Sequence, residues 1–312
     1  MTTIETTPSA VVTAAVRPLH AYLALAAGVI AISFTAIFTK WAAVPGPVAA
    51  TYRMAISAVI LTVPFLYTSR RFAAARRRGW RLGLLGGLWF ALNLGLLNSA
   101  LMLTSAATAT LLDNTAPVWV GIGALLLFGE QLGRGYWTGL ALALAGAVVV
   151  TGLTPFPVGG ETSAQGFHLQ AGDALALTGA IFYAAYLLNT QRARQDLDTV
   201  GYLWLVAVSA ALLLFLISLL LGLPLLGHRP SSYLALVGVG IISQVGGWLL
   251  ISYALGYLPA SSAVVVLLAQ PVVTGLLAIP LLGESLAFRQ VLGGALVLSG
   301  IYLCLRHTAK DG

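Results

Sequence analysis

Charge is scarce in this chain. Of its 312 residues only 8% are Asp, Glu, Lys or Arg, about a third of the roughly 25% that a water-facing domain carries. That shortage excludes a separate soluble catalytic or binding domain. Cysteine is nearly absent too: Cys304 alone excludes an intrachain disulfide and a thiolate metal site. No run alternates apolar and polar residues with a period of two, which excludes a barrel of membrane strands. No GxxxxGK[ST] loop offers a nucleotide motor, and no HExxH pair offers a zinc hydrolase. The four histidines, His20, His168, His228 and His307, fall at the ends of apolar runs or between them, and no run carries the spaced arginines of a voltage sensor. Neither a cofactor nor a metal is expected, and the chain is read as not being an enzyme.

Apolar length is what the sequence has in excess. Hydrophobic residues make up 59% of it and the mean hydropathy is +0.94. They fall in blocks of about 20, enough for a helix to cross a hydrocarbon core of roughly 30 Å. Leu, Ala and Gly dominate the blocks, so an all-α integral membrane protein is expected. Ten spans are placed at 20–41, 47–67, 82–103, 106–128, 134–153, 171–191, 201–222, 233–255, 260–282 and 287–305.

The net charge of +7 does not indicate nucleic acid, because the cations sit between apolar blocks. Arg70, Arg71, Arg76, Arg77, Arg78 and Arg81 crowd the connection between spans two and three. Basic connections stay on the cytoplasmic side, and attraction to anionic lipid adds to that preference. An even number of spans then leaves both termini in the cytoplasm. Arg17, Arg134, Arg192, Arg194, Arg306 and Lys310 fall inside under this assignment, with only Arg229 and Arg289 in outside connections. A multi-pass protein of the cytoplasmic (inner) membrane is expected, with the lipid bilayer as its surroundings. Its oligomeric state stays open, and a monomer suffices.

Slid against itself, the chain matches residues 97–146 to 251–300 without a gap. Pro117-Val118 falls on Pro271-Val272, Gly129-Glu130 on Gly283-Glu284, Gly139 on Gly293 and Gly146 on Gly300, all 154 positions apart. Span one echoes span six more faintly, with Gly28 on Gly179 and Lys40 on Gln191, 151 positions apart. Each half therefore holds five spans. Five is odd, so the second copy enters the membrane upside down. Inverted repeats of this kind belong to secondary transporters, where two similar halves exchange roles and alternate access to a shared site. The expected divisions are a disordered cytoplasmic tail (1–18), a first five-helix repeat (19–153), an extracytoplasmic linker (154–170), a second inverted repeat (171–306) and a short cytoplasmic tail (307–312).

These residues resemble the drug/metabolite transporter superfamily, in its ten-helix form with two EamA-type repeats. The likeness rests on the Lys40 end of span one, on Ala116-Pro117-Val118 and Gly129 to Leu132, and on their copies Gln270-Pro271-Val272 and Gly283 to Leu286. It implies export of amino acids or related metabolites, and the chain is most similar to bacterial aromatic amino-acid exporters. Many relatives carry an acid just before the span-four proline, where this chain has Ala116.

Candidate site residues follow from depth and chemistry. Pro117 and Pro271 near mid-span free a carbonyl one turn back and bend their helices. They either line a cavity or improve packing. Asp113 is the only acid well inside a span, where Asp costs roughly 2.5–3.5 kcal/mol. It binds a proton or an amine, or pairs with Lys40 or Arg53. Lys40 and Arg53 lie toward the outer ends of spans one and two, snorkelling to the interface or meeting a substrate carboxylate. Trp89 and Asn93 share a face of span three. Gln244 and Trp248 repeat that pairing in reverse order on span eight, Tyr183 and Tyr186 share a face of span six, and Gln270 precedes a proline. These amides and rings serve either as substrate contacts or as interhelical glue. Glu130 and Glu284 are read as structural caps. Secondary export of amino acids by alternating access is the resulting expectation, and efflux of lipophilic cationic drugs is its alternative.

Overall fold

A computed structural model of the protein describes residues 19–73, 77–104, 106–151, 171–283 and 287–308. Among them there is no strand. Ten helical spans are long and apolar enough to cross a membrane, each within three residues of its expected place. With no water in the lipid to pair with backbone groups, helices satisfy every N–H and C=O within themselves.

The spans are α1 (Leu19–Ala42), α2 (Gly46–Ala73), α3 (Arg77–Leu103), a divided α4, α5 (Arg134–Thr151), α6 (Ala171–Ala193), α7 (Thr199–Leu220), α8, a divided α9 and α10 (Phe288–Thr308). Asp198 caps α7 by accepting from Gly201 N at 2.8 Å. Span α8 covers Pro230–Ala254, and its middle, Val239–Gly247, winds as a π-helix. Four glycines at 238, 240, 246 and 247 loosen that stretch.

The two divided spans match in register. α4a (Ala106–Asp113) and α4b (Ala116–Phe128) meet at a turn over Asn114 and Thr115; α9a (Ala260–Leu267) and α9b (Gln270–Leu282) meet at one over Leu268 and Ala269. Every boundary in the second copy lies 154 positions after its partner in the first. Thr115 N bonds Leu112 O at 3.1 Å, and Leu268 N bonds Val265 O at 3.1 Å, so both turns tighten to three-residue closure. Pro117 and Pro271 begin new helices. The expected bend inside a continuous helix is instead a break, because proline brings no N–H and fits a first turn, where none is needed. Both half-helices end on a left-handed glycine, Gly129 at φ 68° and Gly283 at φ 67°.

Packing shows the inversion. α5 and α10 lie together on a glycine seam. A Cβ on Gly139 would sit 2.8 Å from Gly300 O, and one on Gly146 would sit 2.7 Å from Gly293 O. Gly293 and Gly300 are the copies of Gly139 and Gly146, so each glycine meets the copy of the other across an antiparallel pair. That is the contact pattern of a two-fold axis, and small residues allow the close approach. The remaining contacts pair likewise: α3 packs on α6 as α8 packs on α1, and α4 packs on α6 as α9 packs on α1. One pair breaks the symmetry. α4b packs against α9a, whereas α4a and α9b make no contact of that extent. The bundle is closed between α4b, which Glu130 follows, and α9a, which carries Ser261, and parted between the other two.

Candidate functional site

The parted half-helices flank a cavity of about 240 Å³. It runs from the bundle end that carries Thr39, Gly46 and Asn98 down to Phe90, Tyr183 and Trp248 at mid-depth. Both helix breaks face it, with Asp113, Asn114, Ala116 and Pro117 on one side and Leu267, Leu268 and Gln270 on the other. Two half-helix N-termini, those of α4b and α9b, therefore lie at the chamber, beside the C-terminal ends of α4a and α9a.

One cation and one acid line this space. Arg53 of α2 is 9% exposed. Its Nε donates to Gln244 Oε1 at 2.5 Å, and its guanidinium carbon lies 5.7 Å from the centre of the Phe90 ring. A cation over a ring face is held by the ring's quadrupole. The π-helical stretch of α8 carries Gln244, as such bulges often carry functional residues. The expected snorkelling of Arg53 is corrected here: Gln244 and the Phe90 ring supply partners at depth beside the cavity, so the side chain does not reach the interface. Asp113 ends α4a and accepts from Asn93 Nδ2 at 2.9 Å, and the same Nδ2 lies 3.1 Å from Gly179 O. Asn93, rather than Lys40 or Arg53, is its hydrogen-bond partner. Lys40 is exposed at the end of α1 and does not line the cavity.

Aromatic rings close the floor. Phe90 stacks on Tyr186 with centroids 4.5 Å apart, and Trp248 stands edge-on to both, at 5.0 and 5.1 Å. Tyr183 meets Trp248 at 6.1 Å.

Of the residues singled out from sequence, Asn93, Asp113, Pro117, Tyr183, Trp248 and Gln270 line the cavity. Gln244 stands behind Arg53, and Tyr186 is fully buried behind Phe90 and Trp248. Trp89, one turn from Asn93 toward the closed end, stacks on Phe182 at 5.6 Å. Pro271 does not line the space, although Gln270 beside it does; the Gln270 carbonyl is held by Ser33 Oγ at 3.3 Å. Sequence reasoning left out Phe90, Asn98, Asn114, Thr35 and Thr39, all of them lining residues. Only Asn114, next to the intramembrane acid, carried a local signal.

The opposite end is sealed by polar contacts. Ser261 Oγ donates to Glu130 Oε2 at 2.5 Å, joining α4b to α9a. Glu130 thus bridges two repeats rather than capping the following helix, while Glu284 lies outside the described residues. Ala260 N donates to Gln191 Oε1 at 2.9 Å. Arg194, just past the end of α6, donates from Nε to Ser252 O at 3.1 Å and from a terminal nitrogen to Leu197 O. Burial pushes its guanidinium down from the ordinary value, and Asp198 opposes that shift.

Comparison with known proteins agrees with this architecture. The EamA-like transporter family matches residues 19–152 and again 170–306. A transporter of Archaeoglobus fulgidus, described as uncharacterized, is 28% identical over 211 residues, covering 67% of this chain and 70% of the relative. A crystallised protein superposes with a TM-score of 0.78 at 21% identity, over 93% of this chain and 98% of its own, a likeness of fold. Ten spans, a water-accessible chamber between two repeats and a family match over both halves lead to one statement: the chain belongs to the EamA-like transporter family, and it is a multi-pass membrane transporter of small molecules rather than an enzyme.

Proposed function

We propose that the protein exports aromatic and other apolar amino acids by alternating access across the cytoplasmic membrane. The observation that carries this reading is the pairing of one guanidinium and one carboxylate in a single chamber whose other walls mix apolar and aromatic side chains with neutral amides and hydroxyls. Arg53, steadied by Gln244, takes the substrate carboxylate in charge-assisted bonds. Asp113, steadied by Asn93, takes the ammonium. Phe90, Tyr183, Trp248, Leu267 and Leu268 take the side chain. A space of about 240 Å³ lies below the roughly 300–1,000 Å³ of pockets for drug-sized ligands, which suits a solute of amino-acid size.

The arginine-rich connection between α2 and α3 supports a cytoplasmic placement of the Glu130 end and of both termini. The chamber then faces outward, the state that follows release. The alternative, efflux of lipophilic cations, has Asp113 in its favour. It meets a buried Arg53 in the same chamber, which repels a second cation. Counterflow of a labelled amino-acid panel in proteoliposomes tests the reading. Exchange of phenylalanine, tyrosine, tryptophan or leucine is expected. Exchange of lipophilic cations with none for any amino acid would replace it.

A further inference from the structure

The closed half of the bundle holds a set of buried polar groups that packing alone does not explain. Trp248 Nε1 has no hydrogen-bond partner, and the hydroxyls of Tyr186 and Ser252 face each other without forming a well-directed bond, although these three residues are only 3%, 0% and 0% exposed. Tyr186 and Thr190 follow one another at a four-residue step along α6, with Arg194 four residues further on just past its end, and Trp248 and Ser252 do so along α8, so each helix carries a polar stripe on one face. The stripes meet where Tyr186 contacts Trp248 and Arg194 bonds Ser252 O, while Thr190 Oγ1 bonds Tyr202 Oη of α7 at 2.7 Å. A polar seam thus descends from the chamber floor to the Glu130 end. Buried polar atoms left unsatisfied are a standing penalty in a dry seal, and the penalty disappears if water enters.

The repeat says when water enters. At the α1–α6 spacing of 151, Thr35 corresponds to Tyr186 and Thr39 to Thr190; at the 154 spacing, Leu94 corresponds to Trp248 and Asn98 to Ser252. Thr35, Thr39, Leu94 and Asn98 all line the open cavity. We infer that the seam of Tyr186, Thr190, Trp248 and Ser252 is a second, cytoplasmic vestibule in its closed form, a water-filled binding surface for the departing or arriving solute, latched by the Glu130–Ser261 hydrogen bond. This inference rests on alternating access as proposed above, but not on which solute is carried.

Sided labelling tests it in the full-length protein. In a Cys304→Ala background, single replacements Thr39→Cys and Asn98→Cys report the open vestibule, and Thr190→Cys and Ser252→Cys report the closed one. The buried Ala207→Cys sets the background rate. A membrane-impermeant thiol reagent is applied to right-side-out and inside-out vesicles. Thr39→Cys and Asn98→Cys are expected to react from outside, and Thr190→Cys and Ser252→Cys from the cytoplasmic side alone. Adding Glu130→Gln should raise cytoplasmic labelling by roughly tenfold, the factor carried by one charge-assisted hydrogen bond, and slow labelling of Asn98→Cys from outside. Background rates at both seam positions from the cytoplasm, with and without Glu130→Gln, would overturn the vestibule, as would reaction from outside. Correctly sided labelling in a protein that exchanges no amino acid would keep the vestibule and remove only the substrate reading. Amino-acid exchange with an unreactive seam would do the reverse.

Discussion

Arg53 and Gln244 are locked together at mid-depth, guanidinium Nε to amide oxygen at 2.5 Å, by helices from opposite repeats. Arginine in hydrocarbon is expensive. Here the amide and the Phe90 face share the load, and the proposed substrate carboxylate would meet the guanidinium's terminal nitrogens. Arg53→Gln should raise the half-saturation concentration for amino-acid exchange about thirtyfold or more, as expected when one member of a buried charged contact is lost. Gln244→Ala should act in the same direction but less, by roughly tenfold, since it leaves the charge and removes only its support. Counterflow titrations in proteoliposomes read both; an Arg53→Gln protein with unchanged half-saturation would exclude a carboxylate contact.

Asp113 gives a test of the other end of the substrate. Asp113→Asn keeps shape and depth but removes the negative charge. Amino acids should lose roughly ten- to hundredfold in apparent affinity, the range of one hydrogen bond to a charged group. N-acetylated analogues, which carry no ammonium, should be nearly unaffected. The ratio of the two inhibition constants is the informative quantity. A ratio equal to that of the unmodified protein would place the ammonium elsewhere.

The glycine seam between α5 and α10 predicts a stability effect with no direct contact to the chamber. A Cβ on Gly300 would lie 2.5 Å from both Ala143 N and Gly139 O, and backbone at that distance cannot swing aside. Gly300→Val should force the two helices apart and destabilise the protein by about 1–3 kcal/mol. Thermal unfolding in detergent should show this as a lowered midpoint.

Gly129 and Gly283 form a matched pair. Each has φ near 67° and nothing within 4 Å of an added Cβ, so alanine there meets no clash and suffers only backbone strain. Gly129→Ala and Gly283→Ala should each cost about 1–2 kcal/mol. Because the two repeats place them alike, the two losses should agree closely. Melting curves that differ by several-fold in effect would show that the caps are not equivalent.

The sequence made the architecture legible because lipid leaves few choices. Blocks of apolar residues long enough to cross must be helices, and proline, glycine and the Gly-Glu pair kept in register at 154 residues exposed the duplication. The site was only partly legible. Asn93, Asp113, Tyr183, Trp248 and Gln270 stood out as polar or aromatic groups at depth, and they line the chamber. Arg53 did not stand apart from a snorkelling cation, since depth within a span is uncertain by the same few residues that separate interface from cavity. Trp89 looked equivalent to Asn93 on one helix face, yet four residues of rise carried it to Phe182.

Composition and periodicity by themselves determined ten helices, two inverted copies and a charge pattern for their orientation, because each of these is set by local chemistry against the bilayer. Which copy's half-helices touch and which part was decided only in three dimensions. Two nearly identical repeats can close at either end, and the choice made here depends on contacts such as Glu130 with Ser261, between residues 131 positions apart, that no local pattern encodes.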